Sequence, residues 1–291
     1  MLWQGRQGSS NVDDRRGISG GALVAGGGVV GVIILLLNFF LGGGDVSQLP
    51  EVIQQGNVQQ QQMTPEEKAA DDKRADFVKV VLKDTEQIWG NIFQQMGKTY
   101  QDPTMVLFTG SVESACGRAG SATGPFYCPG DQKLYIDLSF YEDLSKRFNA
   151  PGDFAMAYVV AHEVGHHVQT LLGTSQKVSQ LRSQLSETEY NKYSVMVELQ
   201  ADFYAGLWAH YERRLKTADQ RSVIEAGDVE EALNAANAIG DDRLQQESQG
   251  RVVPDAFTHG SSEQRMYWFK KGFETGDIQQ GNTFADAALK N

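Results

Sequence analysis

His162 and His166 lie four residues apart, with Glu163 beside the first, in the run His162-Glu163-Val164-Gly165-His166-His167-Val168-Gln169. On a helix that spacing projects both imidazoles from one face. Two imidazoles so placed can grip one metal ion, and Glu163 can then take a proton from a bound water. This is the HExxH arrangement of zinc-dependent hydrolases. The chemistry requires a helix, and the flanks supply one: Phe154 to Ala161 is apolar, and Val168, Leu171 and Leu172 follow. Asp153 reads as its N-cap and Gly173 as its stop, giving a largely buried helix over 153–172. Gly165 weakens a helix interior by roughly 1 kcal/mol relative to alanine, which makes sense where another backbone passes close behind the metal face.

A second acidic signature follows at Glu198-Leu199-Gln200-Ala201-Asp202, inside another apolar stretch from Tyr193 to Trp208. Glu198 and Asp202 share a helix face, and two carboxylates among Val, Met, Phe and Trp are costly to bury unless paired or metal-bound. A catalytic zinc takes three protein ligands and keeps one open position, so His162, His166 and Glu198 form the expected set. Asp202 is expected to hold His162 in one tautomer. The metzincin pattern needs a glycine at position 169 and a histidine at position 172; Gln169 and Leu172 exclude it. His210 stands near Glu212, Arg213 and Arg214 and reads as a surface or capping residue. His167 points off the metal face and reads as a hydrogen-bonding or cleft-lining group.

An oxyanion formed during hydrolysis needs a donor besides the metal. His259, in the irregular stretch Pro254–Gly260, is the leading candidate and Tyr204 the second. Arg265, one turn into the last expected helix, is suited to anchoring that segment to an acid.

No charged residue occurs from Gly20 to Leu41. About twenty such residues span a bilayer as a helix. The exit, Gly42-Gly43-Gly44-Asp45, lacks a small-residue cleavage site, so an uncleaved anchor is expected. Arg6, Arg15 and Arg16 precede the run and no Lys or Arg follows until Lys68. The positive-inside rule then keeps the N-terminus cytoplasmic and places the rest on the periplasmic or extracellular side of the inner membrane. Gly27 and Gly31 have a spacing that can pair membrane helices. The expected division is a cytoplasmic segment 1–19, a span 20–41, a polar tether 42–64 and a catalytic domain 65–291. Cys116 and Cys128 are the only cysteines. Their expected disulfide fits an oxidising compartment and stabilises by roughly 2–3 kcal/mol. A formal net charge of −11 argues against nucleic acid as a partner.

Within the domain, periodicity predicts helices over 65–98, 139–148, 153–172, 175–187, 189–216, 219–239 and 261–275, with strands at 105–108 and 133–138. Strand 133–138 is assigned, by analogy with other zincins, to hold an extended substrate by main-chain hydrogen bonds.

The blocks His162–His167, Glu198–Phe203 and Thr258–Arg265, with Trp3–Arg6 and Asn11–Arg16 ahead of a membrane span, resemble the bacterial family of neutral zinc metallopeptidases. The likeness covers almost the whole chain, and it implies a gluzincin-like peptidase fold and a zinc cofactor. The resulting expectation is an α+β fold: a mostly helical zincin-like domain with a small antiparallel sheet, preceded by one transmembrane helix. Its expected function is membrane-anchored hydrolysis of peptide or protein substrates through a zinc-bound water with Glu163 as general base. Two other readings stay open: a catalytically silent, zinc-stabilised anchored binding protein, against which an intact Glu163 argues, and a zinc hydrolase of a non-peptide amide.

Overall fold

Three helices carry the site, and small residues bring them together. In the computed structural model, which describes residues 1–17 and 63–289, the motif lies on α2 (Asp153–Leu171) and the second acidic signature on α4 (Glu187–Glu212). The last long helix is α7 (Ser262–Thr275). A Cβ on Gly165 would come within 3.0 Å of the Ala201 carbonyl oxygen, so α2 and α4 cross backbone to backbone behind the metal face. One on Gly206 would collide with the Phe269 carbonyl oxygen, so α4 and α7 are as closely apposed. The starts of α4 and α7 are fixed by reciprocal caps, Ser186 with Glu189 and Ser261 with Gln264. Among the described residues the other helices of six residues or more are α1 (Pro65–Gln95), α3 (Thr174–Ser179), α5 (Asp228–Ala238) and α6 (Asp241–Gln249), and the helix expected over 139–148 is a short turn at Phe140–Glu142 that continues as a π-helix over Asp143–Arg147.

The sheet departs from expectation. Its strands are β1 (Val12–Asp14), β2 (Thr104–Phe108), β5 (Phe126–Cys128) and β6 (Lys133–Asp137), in the order β1-β2-β6-β5. The pairs β1–β2 and β2–β6 are parallel, and only β5 runs antiparallel, along β6. The sheet is therefore mixed and mainly parallel. The antiparallel pair β3 (Ser111–Ser114) and β4 (Gly117–Gly120) stands apart as a hairpin. Strand 133–138 is flanked on both sides, so it has no free edge for a substrate. The sheet's edges are β1 and β5, and the Cys116–Cys128 disulfide fastens β5 to the hairpin.

Two helical expectations also change, and one helix is new. The helix expected from 219 begins only at Asp228, after Gly227 and a Lys216–Ser222 bridge. The one expected over 175–187 stops at Ser179, and α6 was not anticipated. The expected span 20–41, with Gly27 and Gly31, lies outside the described residues, as does the tether apart from its last two positions. Among the described residues no helix is long and apolar enough to cross a membrane.

The domain boundary moves as well. Met1–Arg16 and Asp71–Asn291 form one compact unit, and Gly17–Ala70 a second. Of the second, the described part opens α1, where Thr64 and Glu67 cap one another. The first sixteen residues are thus built into the unit that carries α2, α4 and α7 instead of standing apart from it. Trp3 meets Phe77 edge-on at 5.4 Å, Ser9 and Asn11 donate to Glu86, and β1 completes the sheet. Arg6 lies 2.6 Å from Asp84 and 3.4 Å from Glu212. Both carboxylates are buried, and Asp84 Oδ2 and Glu212 Oε2 have no donor. Burial raises Asp84 to about 6 and Glu212 well above the usual carboxylate range. Each binds its proton more tightly in the folded chain than in the unfolded one. The stability this contributes is present below about pH 4, the unfolded value, and is lost as pH rises through the folded values.

Melting temperatures measured across about pH 4 to 7 should fall less steeply for Asp84→Asn/Glu212→Gln than for the wild type. Arg6→Met removes the cation from two buried acids and should steepen the fall; parallel curves for all three proteins would contradict this account.

Candidate metal centre

His162, His166 and Glu198 each offer one ligand atom, and the three atoms lie within 4.8 Å of one another. His162 Nε2 is 3.1 Å from Glu198 Oε2, and His166 Nε2 is 3.5 Å from Glu198 Oε1. The two imidazole planes stand at 89°, so their Nε2 atoms converge from different directions. Both tautomers are set from behind. Asp202 Oδ1 lies 2.8 Å from His162 Nδ1 and, as a carboxylate, can only accept. Gln169 donates its Nε2 to the Val197 carbonyl, which leaves its Oε1 to accept from His166 Nδ1 at 2.9 Å. In the neutral rings, each Nε2 therefore presents a lone pair to the same point.

The charge balance agrees with a cation site. Burial pushes Glu198 up, but the His166 and His162 rings outweigh it, and the carboxyl ionises well below its ordinary range. Burial pulls His162 down, yet Asp202 prevails and holds it up at about 10. A divalent cation bound there would displace any proton from the ring Nε2 atoms. Two imidazoles and an ionised carboxylate with an open face fit zinc. A second acidic group, Asp153, Asp228 and Glu231, is already filled by the Met1 amine, 2.7 Å from Asp153 and 3.1 Å from Asp228.

Asp202 is held in turn. Its side chain is fully buried, and Arg265 meets it with two nitrogens, Nε at 2.9 Å from Oδ2 and Nη2 at 3.0 Å from Oδ1. The Tyr158 hydroxyl donates to Oδ1 at 2.5 Å and accepts from Arg265 at 3.1 Å. Burial works to raise the Asp202 carboxyl, but Arg265 and His162 hold it below its usual value. Arg265 thus serves as an anchor to an acid, and the acid is Asp202. Gln169 and Tyr158 were missed, though both carried a helical signal: Gln169 is three residues after His166 and Tyr158 four before His162.

Glu163 is buried beside the triad, and burial lifts its carboxyl above the ordinary range. The Tyr127 backbone of β5 faces it as a donor. His167 donates Nε2–H to the Gln101 carbonyl and receives the Tyr127 hydroxyl on Nδ1, so it fixes β5 and binds no metal. A cleft of about 650 Å³ opens over His162, Glu163, His166 and Glu198. Its walls include Gly124–Tyr127, Phe140, Phe148, His259 and Arg265. His259 is half-exposed there, and its partner Asp241 raises its pKa. Tyr204 is not in the cleft: its ring packs edge-on against Trp89 at 5.4 Å in the core. His210 is buried rather than on the surface, bonding the Phe273 carbonyl and Arg214.

Residues 1–284 match the family described as "Putative neutral zinc metallopeptidase". The chain belongs to this family. Family membership spans the N-terminal arm as well as the metal helices. A similar relative, the uncharacterized protein YpfJ of Escherichia coli K12, is 51% identical over 98% of this chain and 99% of its own. The uncharacterized protein Rv2575 of Mycobacterium tuberculosis H37Rv is 44% identical over 65% of each chain. No solved structure matches.

Purified protein should carry one zinc per chain by elemental analysis, and His162→Ala, His166→Ala or Glu198→Ala should each remove most of it. Asp202→Asn and Gln169→Ala should keep a weakened site, with zinc affinity about 10–100-fold lower. Full zinc retention by the Glu198 variant would move the third ligand elsewhere.

Proposed function

We propose that this family member is a zinc peptidase acting on peptide or protein substrates. The observation that carries the reading is the convergence of His162, His166 and Glu198 on one point with Glu163 beside them at the floor of an open cleft. A zinc ion held by His162, His166 and Glu198 would supply a Lewis acid that lowers the pKa of a bound water to about 7. The chain's own residues supply the rest. Glu163, its proton affinity raised by burial, accepts a proton from the attacking water and passes it to the leaving amine. His259, oriented by Asp241 and favoured in its protonated form, donates to the oxyanion.

Substrate positioning falls to β5. It is one of the sheet's two edge strands and the one that lies against the cleft, where it can pair with an extended peptide as an added strand. The aromatic wall of Phe140 and Phe148, with Val159, Ile239 and Leu244, suits a bulky apolar substrate side chain. A buried, cleft-facing Glu163 disfavours a catalytically silent role, because a carboxyl kept there is costly without a task. The Cys116–Cys128 bond supports an oxidising location, periplasmic or extracellular, for the catalytic unit. Attachment to the inner membrane through 20–41 rests on the apolar run alone.

Glu163→Gln should keep zinc and its melting temperature yet lose at least ~100-fold in peptide turnover. His259→Ala should lower kcat by ~100–1000-fold with KM and zinc content little changed. An active Glu163→Gln enzyme would sink the mechanism; a His259→Ala loss explained by a collapsed melting temperature would return His259 to a structural role.

A further inference from the structure

The N-terminal arm and the catalytic unit share one fold, and this bears on which side of a membrane each can occupy. The three arginines that oriented the apolar run under the positive-inside rule are all engaged with acids. Arg6 sits between Asp84 and Glu212. Arg15 pairs with Asp13. Arg16 pairs with Asp14 and reaches across to α1, 2.5 Å from Asp71 and 3.2 Å from Asp72. The rule rests on charges that resist translocation; these instead serve as the ion-pair partners of a folded domain. Arg16 and Asp71 are also the two ends of the intervening stretch, and one ion pair joins them directly.

A single crossing over 20–41 would separate residues 1–16 from residues 71–289 by a hydrocarbon layer of about 30 Å. The arm would then leave β2 without its β1 neighbour and strip the cation from Asp84 and Glu212. It would also take Ser9 and Asn11 from the buried Glu86. Removing one partner from a buried charge group is strongly destabilising. A second crossing is not available to undo the separation. After Leu41 the chain carries Asp45, Glu51, Glu66, Glu67 and Lys68 and a run of glutamines, with no further apolar run of bilayer length.

We infer that residues 1–16 and 71–289 lie on the same face of the membrane. With the disulfide supporting an oxidising compartment, the arm is exported together with the catalytic unit.

The test uses the full chain in its native membrane. Both native cysteines are paired, so one introduced cysteine is the sole free thiol. Gln7→Cys reports on the exposed arm and Lys270→Cys on the exposed face of α7; neither disturbs the core. Spheroplasts are treated with a membrane-impermeant maleimide before and after lysis. The two variants should label alike, both in intact spheroplasts. Labelling of both only after lysis would keep the shared face but overturn export. Labelling of Lys270→Cys in intact spheroplasts with Gln7→Cys protected until lysis would overturn the inference and restore a single crossing.

Discussion

The arrangement turns on one carboxylate that water does not reach. Asp202 is charged, and nothing in an apolar helix bundle compensates it except three partners brought from elsewhere: His162 and Tyr158 from α2, and Arg265 from α7. Each partner needs the others. Arg265 keeps Asp202 ionised, Asp202 keeps the His162 proton on Nδ1, and only then does Nε2 face the cleft. The close crossings at Gly165 and Gly206 are the packing side of the same constraint, since a bulkier residue at either would move the helices apart and lengthen these bonds. Removing one member of such a buried set leaves an uncompensated charge, which typically costs more than the pair contributes.

The site was legible because its signals are helical and local. The four-residue spacings of His162 with His166 and of Glu198 with Asp202 mark helix faces, and the apolar flanks say that those faces are buried. The glycine at 165 announced a close neighbour, and that neighbour is Ala201. Tertiary contacts were less legible. Tyr204 and His259 look alike as candidate donors, but only the fold sends Tyr204 to Trp89 and His259 to the cleft. Strand β6 has the alternation of a good strand, yet alternation does not say which strand ends up at an edge. Three-residue strands such as β1 and β5 are too short for a periodicity signal.

The arm illustrates the limit most sharply. Trp3–Arg6 and Asn11–Arg16 are polar and charged, and beside an apolar run such residues read as membrane flanks. Their true partners, Asp84, Glu86, Glu212 and Asp71, lie far away in sequence and are themselves unremarkable acids in helices. Arg6 and Arg16, which by sequence flank the apolar run, pair with acids that the fold brings to them.

The position of Arg265 on the last long helix has a consequence for biosynthesis. A chain is made from its N-terminus, and both histidines emerge well before the residue that completes the clamp behind them; Arg265 follows His162 by 103 positions. Until α7 docks, Asp202 lacks its bidentate partner and the His162 ring lacks a fixed proton. A nascent or truncated chain therefore holds the motif without a finished site, and competence arrives only when the end of the domain has been delivered and packed.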